Sequence, residues 1–467
     1  MLGPQGTFFF LLLVLLFAGL MVWLILTKQV VLRVVASVLA FVPAMVFGIA
    51  AVNKYYDYYQ SWGALFSDLS GQSAQSIPQV SAASLGKDTG KSVSSLLAAS
   101  TNATLDAQTG YLFRTVITGP QSHITREVYV YLPPQYFSKA YANYRFPAIE
   151  LLHGSPGNPE TWVNVMNVIP MYLQELESHQ AQPAVLVMPD TDGGLKYGLQ
   201  CLNDPGGLQD MTFVGKEVPN WITANLRVEQ PGQLWGLGGY SEGGFCAANI
   251  ALQYPTRFGF AGSLSGYFTP ITSQVPTHGK PGNPPVDINV FAHRPGLMAL
   301  NSPQKYILRI PIGIQVPQFF LAAGALDTGD VQGAEYFRQL LLTRVASVPL
   351  EVVPGGGHQA MVWRTSLHAM LGWMTNQLAI LEQRFIANQE RVAASEPKAA
   401  RHAKRPVAAL PAPPLLRHAP AETGLATLPS RPLHIPSARG LQRPGNRDCR
   451  GPVTCQRHSR SGGRLGA

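Results

Sequence analysis

The turn that most restricts how this chain can fold is Gly-Gly-Tyr-Ser-Glu-Gly-Gly, residues 238–244. The apolar residues 233–237 before it predict a short buried strand, and residues 245–252 after it predict a helix. So tight a strand-to-helix turn leaves room only for small residues beside its apex, Ser241. This context is that of a nucleophile elbow, which presents a serine at the carboxyl end of a sheet. A glycine-rich turn without chemistry is the alternative, so partner residues elsewhere must decide.

Strand and helix patterns alternate through residues 110–387, which we predict to form the globular domain. Strands are predicted at 126–132, 146–152, 184–188, 259–264, 318–323 and 350–353, and helices at 162–176, 209–226, 334–345 and 363–381. This alternation indicates an α/β fold with a mainly parallel sheet that is covered on both faces. Residues 268–317 interrupt it with Pro- and Gly-rich sequence. We interpret that segment as a lid or substrate wall, with a surface insertion as the alternative.

Residues 1–52 are predicted to form a transmembrane hairpin of two helices. Residues 8–26 are apolar throughout, and residues 34–52 form a second apolar run that contains Pro43. Lys28 and Arg33 lie between the runs, so the positive-inside rule places this turn in the cytoplasm. The protein is then a multi-pass protein of the cell membrane with its folded domain outside the cytoplasm, although Lys54 argues mildly against this. Cleavage as a signal peptide near Ala50 is the alternative.

Two further regions flank the domain. Residues 53–109 comprise an aromatic segment, at 55–62, and a spacer rich in Ser and Ala. The aromatic side chains either form a belt at the membrane interface or pack on the globular domain. Residues 388–467 are Pro- and Arg-rich and are predicted to be a disordered basic tail.

The net charge of +9 belongs to that tail. From residue 391 onward the chain has 14 basic and 3 acidic residues, a surplus of 11, which leaves −2 for the rest. The folded part therefore lacks the basic surface that nucleic-acid binding requires, and no nucleic-acid motif accompanies the tail. The tail either touches anionic lipid or wall polymers or is an extension without a role.

A serine nucleophile needs a base, and the base needs an acid that orients it. Downstream of the elbow, the predicted strand 318–323 leads into Asp327 and Asp330, and the strand 350–353 leads into a glycine-rich loop that ends at His358. The order Ser, acid, His is that of hydrolases with this elbow. We therefore predict a triad of Ser241, Asp327 and His358, with Asp330 as the second candidate for the acid. Either aspartate could instead cap the next helix.

The tetrahedral intermediate of acyl transfer needs two backbone N–H donors. Glu242 follows the nucleophile and opens the predicted helix, so its N–H is the first candidate. Ser155 lies in the loop after strand 146–152 and supplies the second, whereas Pro156 has no N–H. His153 in the same loop is predicted to shape the backbone rather than to transfer protons.

Four stretches between residues 128 and 373 resemble the α/β-hydrolase family named "Putative esterase", which includes esterase D-type enzymes and actinobacterial mycolyltransferases. They read VYLPPQY (130–136), LLHG (151–154), GYSEGG (239–244) and GGHQAMVWR (356–364). The hairpin followed by an aromatic segment looks like the membrane-attached actinobacterial members. The resemblance implies the α/β-hydrolase fold, triad roles for Ser241, Asp327 and His358, and oxyanion roles for Glu242 and Ser155. Glu242 departs from the family, because many members have Met or another uncharged residue there.

The predicted function is that of a membrane-anchored serine esterase that cleaves carboxylic esters outside the cytoplasm. By resemblance, the rival is an acyltransferase that moves acyl groups to a sugar or another alcohol; a catalytically silent surface binding protein is the third reading. The expected partners are a small-molecule or lipid ester and the membrane. No metal or organic cofactor is implied, because no Cys/His cluster is present. Cys201 and Cys246 could pair outside the cytoplasm, or Cys246 could be a buried thiol.

Overall fold

The computed structural model describes residues 3–70, 77–80, 108–193, 200–205, 207–271 and 295–395. All of them belong to one compact unit of the chain. Most of the predicted spacer, residues 272–294 of the interrupting segment and residues 396–467 of the predicted tail lie outside these ranges.

The centre of the domain is an eight-stranded sheet with the order β1-β2-β4-β3-β5-β6-β7-β8. Strands β1 and β2 and strands β2 and β4 pair antiparallel, and the other five pairs are parallel. The prediction of a mainly parallel sheet is confirmed, and the architecture is that of an α/β-hydrolase. The strands are β1 Tyr111–Thr118, β2 Thr125–Leu132, β3 Ala148–Leu152, β4 Val185–Pro189, β5 Gly232–Tyr240, β6 Phe258–Leu264, β7 Gln318–Gly324 and β8 Leu350–Val353.

Helices connect the strands and cover both faces of the sheet. In chain order they are α1 Thr7–Leu26, α2 Val30–Tyr56, α3 Trp62–Ser70, α4 Glu160–Asn164, α5 Val168–Glu177, α6 Asp210–Thr212, α7 Val218–Asn225, α8 Glu242–Gln253, α9 Pro295–Leu300, α10 Pro303–Tyr306, α11 Thr328–Leu342 and α12 Ala360–Ser395. A π-helical turn, Phe213–Glu217, joins α6 to α7.

Two apolar cores lie on opposite faces of the sheet because side chains alternate along each strand. On β2, Val128 and Val130 enter one core while Tyr129 and Tyr131 enter the other. The first core is closed by α7, α8 and α11, and the second by α4, α5 and α12. Since β3, β5, β7 and β8 run parallel, the loops at their carboxyl ends open on the same edge of the sheet.

The amino-terminal helices α1 and α2 are long and apolar enough to cross a bilayer. They pack against each other, and residues 57–61 join α2 to α3. The helix α2 ends at Tyr56, four residues beyond the predicted hairpin boundary, where Asp57 adopts the left-handed conformation. Tyr58 and Tyr59 pack on the second core of the domain, so part of the aromatic segment contacts the globular part.

The structure corrects several predicted boundaries. Strand β1 was absent from the predicted set, and α12 extends to Ser395, past the predicted start of the tail. Residues 388–395, NQERVAAS, are mostly good helix formers, which is consistent with a helix that continues to Ser395. The predicted helix 162–176 is two helices, α4 and α5, because Asn167 between them is left-handed with φ 54°.

Candidate active site

Ser241 stands at the apex between β5 and α8, in a backbone conformation that side-chain-bearing residues seldom adopt, with φ 54° and ψ −121°. The turn needs glycine on both sides. A Cβ atom on Gly239 would lie 2.2 Å from the carbonyl oxygen of Gly243, and one on Gly243 would lie 2.0 Å from that of Leu152. The expectation that only small residues can flank the apex is therefore confirmed.

Ser241, His358 and Asp330 form a continuous line of hydrogen bonds. Ser241 Oγ lies 2.9 Å from His358 Nε2, and His358 Nδ1 lies 2.8 Å from Asp330 Oδ2. The serine follows β5, the histidine follows β8, and the aspartate lies in the first turn of α11 after β7. With Nδ1 donating to a carboxylate, Nε2 is left as the acceptor for the serine hydroxyl proton. An arrangement of this kind can turn a serine hydroxyl into a nucleophile.

The two candidate aspartates occupy different positions. Asp327 Oδ2 lies 3.4 Å from His358 Nδ1, farther than the oxygen of Asp330, and Asp327 is also the amino-terminal cap of α11 through its Oδ1, which accepts from the N–H of Asp330. Asp327 therefore caps the helix, which is the alternative role that the sequence allowed for either aspartate. The sequence ranks Asp327 before Asp330 as the acid of the triad. In the structure, however, the carboxylate of Asp330 is the closer one to His358 Nδ1.

The contacts of His358 determine the direction in which its pKa is shifted. Burial alone would lower the pKa of His358, but the hydrogen bond and charge of Asp330, with those of Asp327, raise it above its ordinary value. Two carboxylates near one imidazole stabilise the imidazolium form that arises when the base takes a proton.

The loop after β3 approaches the serine from the other side. Ser155 and Ser241 line the same cavity, and Glu242, as the first residue of α8, has no acceptor for its N–H within the helix. His153 is buried, and its Nε2 accepts from the N–H of Thr191 at 3.0 Å. Its Nδ1 therefore carries the proton and donates to the carbonyl oxygen of Gly154 at 2.8 Å. Both ring nitrogens bind backbone, as expected for a residue that shapes this loop.

The side chain of Glu242, the residue after Ser241, is buried. Its Oε1 accepts from the N–H of Gln200 at 2.8 Å. Burial raises the pKa of Glu242 to about 7, although the hydrogen bond from Gln200 lowers it. The nearby charge of Asp210 adds to the increase. The contact explains how an acidic residue fits beside the nucleophile.

The segment around Gln200 is a part of the site that the sequence did not reveal. Cys201 and Cys246 form a disulfide, with Cα atoms 5.5 Å apart, that ties this segment to the elbow helix α8. The side chain of Gln200 binds both backbone groups of Ile271 at 2.8 Å, where the Pro- and Gly-rich segment begins. The sequence left pairing of Cys201 with Cys246 as one of two alternatives, but no local pattern marked Gln200.

A metal ion is one alternative use of the acidic residues here. Asp327, Asp330 and His358 bring ligand atoms within 4.8 Å of one another. The hydrogen bond of His358 Nε2 to Ser241 adds a neighbour that a triad requires and a metal site does not.

Comparison with known proteins identifies the family of this chain. The profile of the family described as "Putative esterase" matches residues 122–374, more than half of the chain. The chain belongs to this esterase family. The matched range contains the elbow, both aspartates and His358.

Two relatives of this esterase-family chain are proteins of Corynebacterium glutamicum and Mycobacterium bovis. An uncharacterized protein of Corynebacterium glutamicum is 25% identical over 280 residues, which cover 58% of this chain and 63% of that protein. The MPT51/MPB51 antigen of Mycobacterium bovis is 42% identical over 65 residues, 14% of this chain and 21% of the antigen. The chain thus spans less than two thirds of each of these relatives.

Among solved structures, a ferulic acid esterase is similar with a TM-score of 0.49 and 20% identity, covering 58% of this chain and 98% of that one. An S-formylglutathione hydrolase from Agrobacterium tumefaciens is similar with a TM-score of 0.45 and 16% identity, covering 58% and 97%.

The serine of this esterase-family chain opens into a cavity of about 850 Å³. Its lining includes the loop 154–156 with Ser241 and His358, and also the final turns of α2 with residues of α1 and of the aromatic segment. Most of the lining is aliphatic or aromatic. This volume falls within the range of about 300–1,000 Å³ that is usual for small-molecule sites.

Proposed function

We propose that this protein is a membrane-anchored serine esterase whose catalytic domain lies outside the cytoplasm. The proposal is carried by the line of hydrogen bonds from Ser241 through His358 to Asp330, with spacings of 2.9 and 2.8 Å. Membership of the esterase family and the cavity at Ser241 support it.

The mechanism follows from the positions of these groups. Ser241 Oγ attacks the acyl carbon of the ester while His358 Nε2 takes the hydroxyl proton. Asp330 holds the imidazole through Nδ1, with Asp327 as an additional nearby carboxylate. The proton then passes from His358 to the departing alcohol, which leaves an acyl group on Ser241. Water, activated by His358 in turn, releases the acid and restores the serine.

The developing oxyanion is assigned to two backbone donors, the N–H groups of Glu242 and Ser155. The first is held at the amino terminus of α8, where the helix dipole also favours negative charge. The second lies in the loop that His153 fixes through its two backbone hydrogen bonds. Donors fixed in advance cost no reorganisation during the reaction, so they stabilise the transition state more than the ground state.

The membrane placement has three supports. Helices α1 and α2 have the length and apolarity of spans. Lys28 and Arg33 mark the turn between them as cytoplasmic, which puts Val52 and the domain on the opposite side. The disulfide between Cys201 and Cys246 is of a kind that persists in oxidising compartments rather than in the cytosol.

Acyl transfer to an alcohol is the second candidate, because it uses the same acyl-enzyme. The apolar lining beside Ser241 favours it, since such surroundings hold little water to compete with an alcohol. Product analysis separates the two. Release of acid from a short acyl ester, unchanged by trehalose, indicates hydrolysis, whereas acylated trehalose indicates transfer.

The decisive test is labelling of the full chain with a fluorophosphonate. Wild type is expected to become covalently labelled at Ser241, Ser241→Ala is expected to lose the label, and Ser178→Ala, a change at an exposed serine on the surface, is expected to keep it. Absence of label on folded wild type would overturn the enzyme proposal and favour a binding protein that has kept the fold.

A further inference from the structure

The cavity at Ser241 is built from two parts of the chain that are far apart in sequence. Val46, Ile49 and Ala50 of α2 line it, together with Phe9 of α1, and Ser241 lines the same cavity. The apolar hairpin thus forms a wall of the same cavity into which the nucleophile projects.

Polar contacts hold this wall against the domain. The side chain of Arg364 on α12 pairs with the carboxylate of Asp57, at the end of α2, and also donates to the carbonyl oxygen of Val165 at 3.0 Å. Asn53 accepts from the N–H of Tyr59 at 2.8 Å and donates to its carbonyl oxygen at 2.9 Å. Because its amide already binds this backbone, Asn53 adds little polarity to the lining.

Helix lengths place the wall at the membrane surface. The 20 residues of α1 extend for about 30 Å, the thickness of a bilayer core, whereas the 27 residues of α2 extend for about 40 Å. Phe10, near the start of α1, packs against Phe47 of α2, so the longer helix projects beyond the hydrocarbon at its carboxyl-terminal end. The lining residues of α2 lie between Val46 and Tyr56, in its last three turns, and Trp62 and Tyr56 add the aromatic side chains that are frequent at membrane interfaces.

The geometry points to a role for the hairpin in substrate binding. Its outer turns form the acyl-binding wall of the active site, and the ester substrate is a long-chain lipid drawn from the same bilayer. The acyl chain lies along Val46, Ile49 and Ala50 and remains in apolar surroundings until its carbonyl carbon reaches Ser241. This inference rests on the proposed esterase or acyltransferase function. It adds the place where the protein binds the acyl chain of the substrate.

The reaction itself is unchanged by this assignment. The bond between Ser241 Oγ and the acyl carbon forms, the bond from that carbon to the lipid alcohol breaks, and the serine proton leaves with the alcohol through His358. Only the acyl chain stays in the cavity. The hairpin therefore determines which chain lengths are accepted rather than the chemistry at the carbonyl.

The test is a substitution that narrows the cavity at its α2 wall and leaves the proposed triad unchanged. Ala50→Phe adds an aromatic ring at a buried lining position, and Ala44→Phe makes the same change at an exposed position of α2 outside the lining. The full chain is placed in vesicles of phosphatidylcholine and phosphatidylglycerol, and kcat/KM is measured for palmitoyl and butyryl esters of p-nitrophenol. Ala50→Phe should lower the palmitoyl value at least about tenfold and change the butyryl value less than about twofold. Ala44→Phe should change neither.

A palmitoyl fluorophosphonate with a photoreactive diazirine at the end of its chain provides a second readout on wild type. After reaction with Ser241 and illumination, the cross-links should fall on peptides that contain residues 46–65. Cross-links confined to the globular domain, or equal effects of Ala50→Phe and Ala44→Phe on both esters, would overturn the inference. Failure of wild type to react with any fluorophosphonate would instead overturn the proposed function.

Discussion

At the scale of single residues, the chemistry depends on which carboxylate serves His358. Two aspartates three positions apart reach the same imidazole nitrogen, at 2.8 Å for Asp330 and 3.4 Å for Asp327. In the proposed mechanism the closer one, Asp330, orients the ring, whereas Asp327 also caps α11. Sequence alone cannot rank them, because both follow β7 and the difference arises from how the first turn of α11 rotates its side chains.

Replacing each aspartate by asparagine should separate these roles. Asp330→Asn is expected to lower kcat roughly 10²–10⁴-fold, because the imidazole loses the carboxylate that holds its tautomer and stabilises its charged form. Asp327→Asn should cost less than about tenfold. Because these carboxylates raise the pKa of His358, the acid limb of the kcat/KM profile should move to lower pH in Asp330→Asn. A larger loss in Asp327→Asn would reverse the assignment.

Glu242 gives the stability of the domain a pH dependence. Since burial raises its pKa to about 7 from 4.5, the folded state holds the proton more tightly than the unfolded state, and this contribution to stability is lost as pH rises from 4.5 through 7. Glu242→Gln keeps an oxygen to accept from Gln200 but cannot ionise. It should stabilise the domain by about 1–3 kcal/mol at pH 8 and much less at pH 5.

Thermal melting of the detergent-solubilised full chain at both pH values measures this effect. The exposed Glu177→Gln serves as the matched control and should follow wild type at each pH. A Glu242→Gln variant with the same pH dependence as wild type would contradict the account of the buried carboxyl group.

At the scale of secondary structure, the central strands were predictable because each is a short buried run next to a loop rich in glycine or polar residues. The elbow, the aspartates and His358 were found for the same reason, since each follows such a strand. Strand β1 was not predicted because it lies at the edge of the sheet. Its less buried positions, 112, 114, 116 and 118, mix apolar with polar residues, and Val116 is exposed. The role of Gln200 was not predictable, since its partners Glu242 and Ile271 lie 42 and 71 residues away.

The disulfide is the covalent link between that segment and the elbow helix. The disulfide closes a loop between cysteines 45 residues apart in the sequence, and this restricts the unfolded chain. Replacing Cys201 and Cys246 together by alanine removes the restriction and should destabilise the domain by about 2–4 kcal/mol. The melting temperature of the double variant measures the loss. The paired change of Cys449 and Cys455 to alanine, outside the described residues, is the control and should leave it unchanged. Peptide mapping without reductant that finds Cys201 and Cys246 as free thiols would contradict the assignment.

At the scale of the whole molecule, the hairpin and the catalytic domain were each evident in the sequence, but the contact between them was not. Local patterns describe the helices, whereas the pairing of Asp57 with Arg364 joins positions 307 residues apart. The aromatic segment likewise had two interpretations, and the packing of Tyr58 and Tyr59 on the second core favours the domain for these two residues. The proposed lipid substrate can reach the proposed wall only if the domain lies on the side of the membrane where that lipid is found.

That side can be determined with alkaline phosphatase, which is active only outside the cytoplasm. Fused after residue 107 it should be active, because two spans return the chain to the outer side. Fused after Arg33 it should be inactive, because Lys28 and Arg33 hold that turn in the cytoplasm. Equal expression of both fusions, checked by immunoblot, makes the comparison valid. The reverse pattern would place the domain inside the cell, where the disulfide would meet a reducing environment and the proposed lipid would have to come from the inner leaflet.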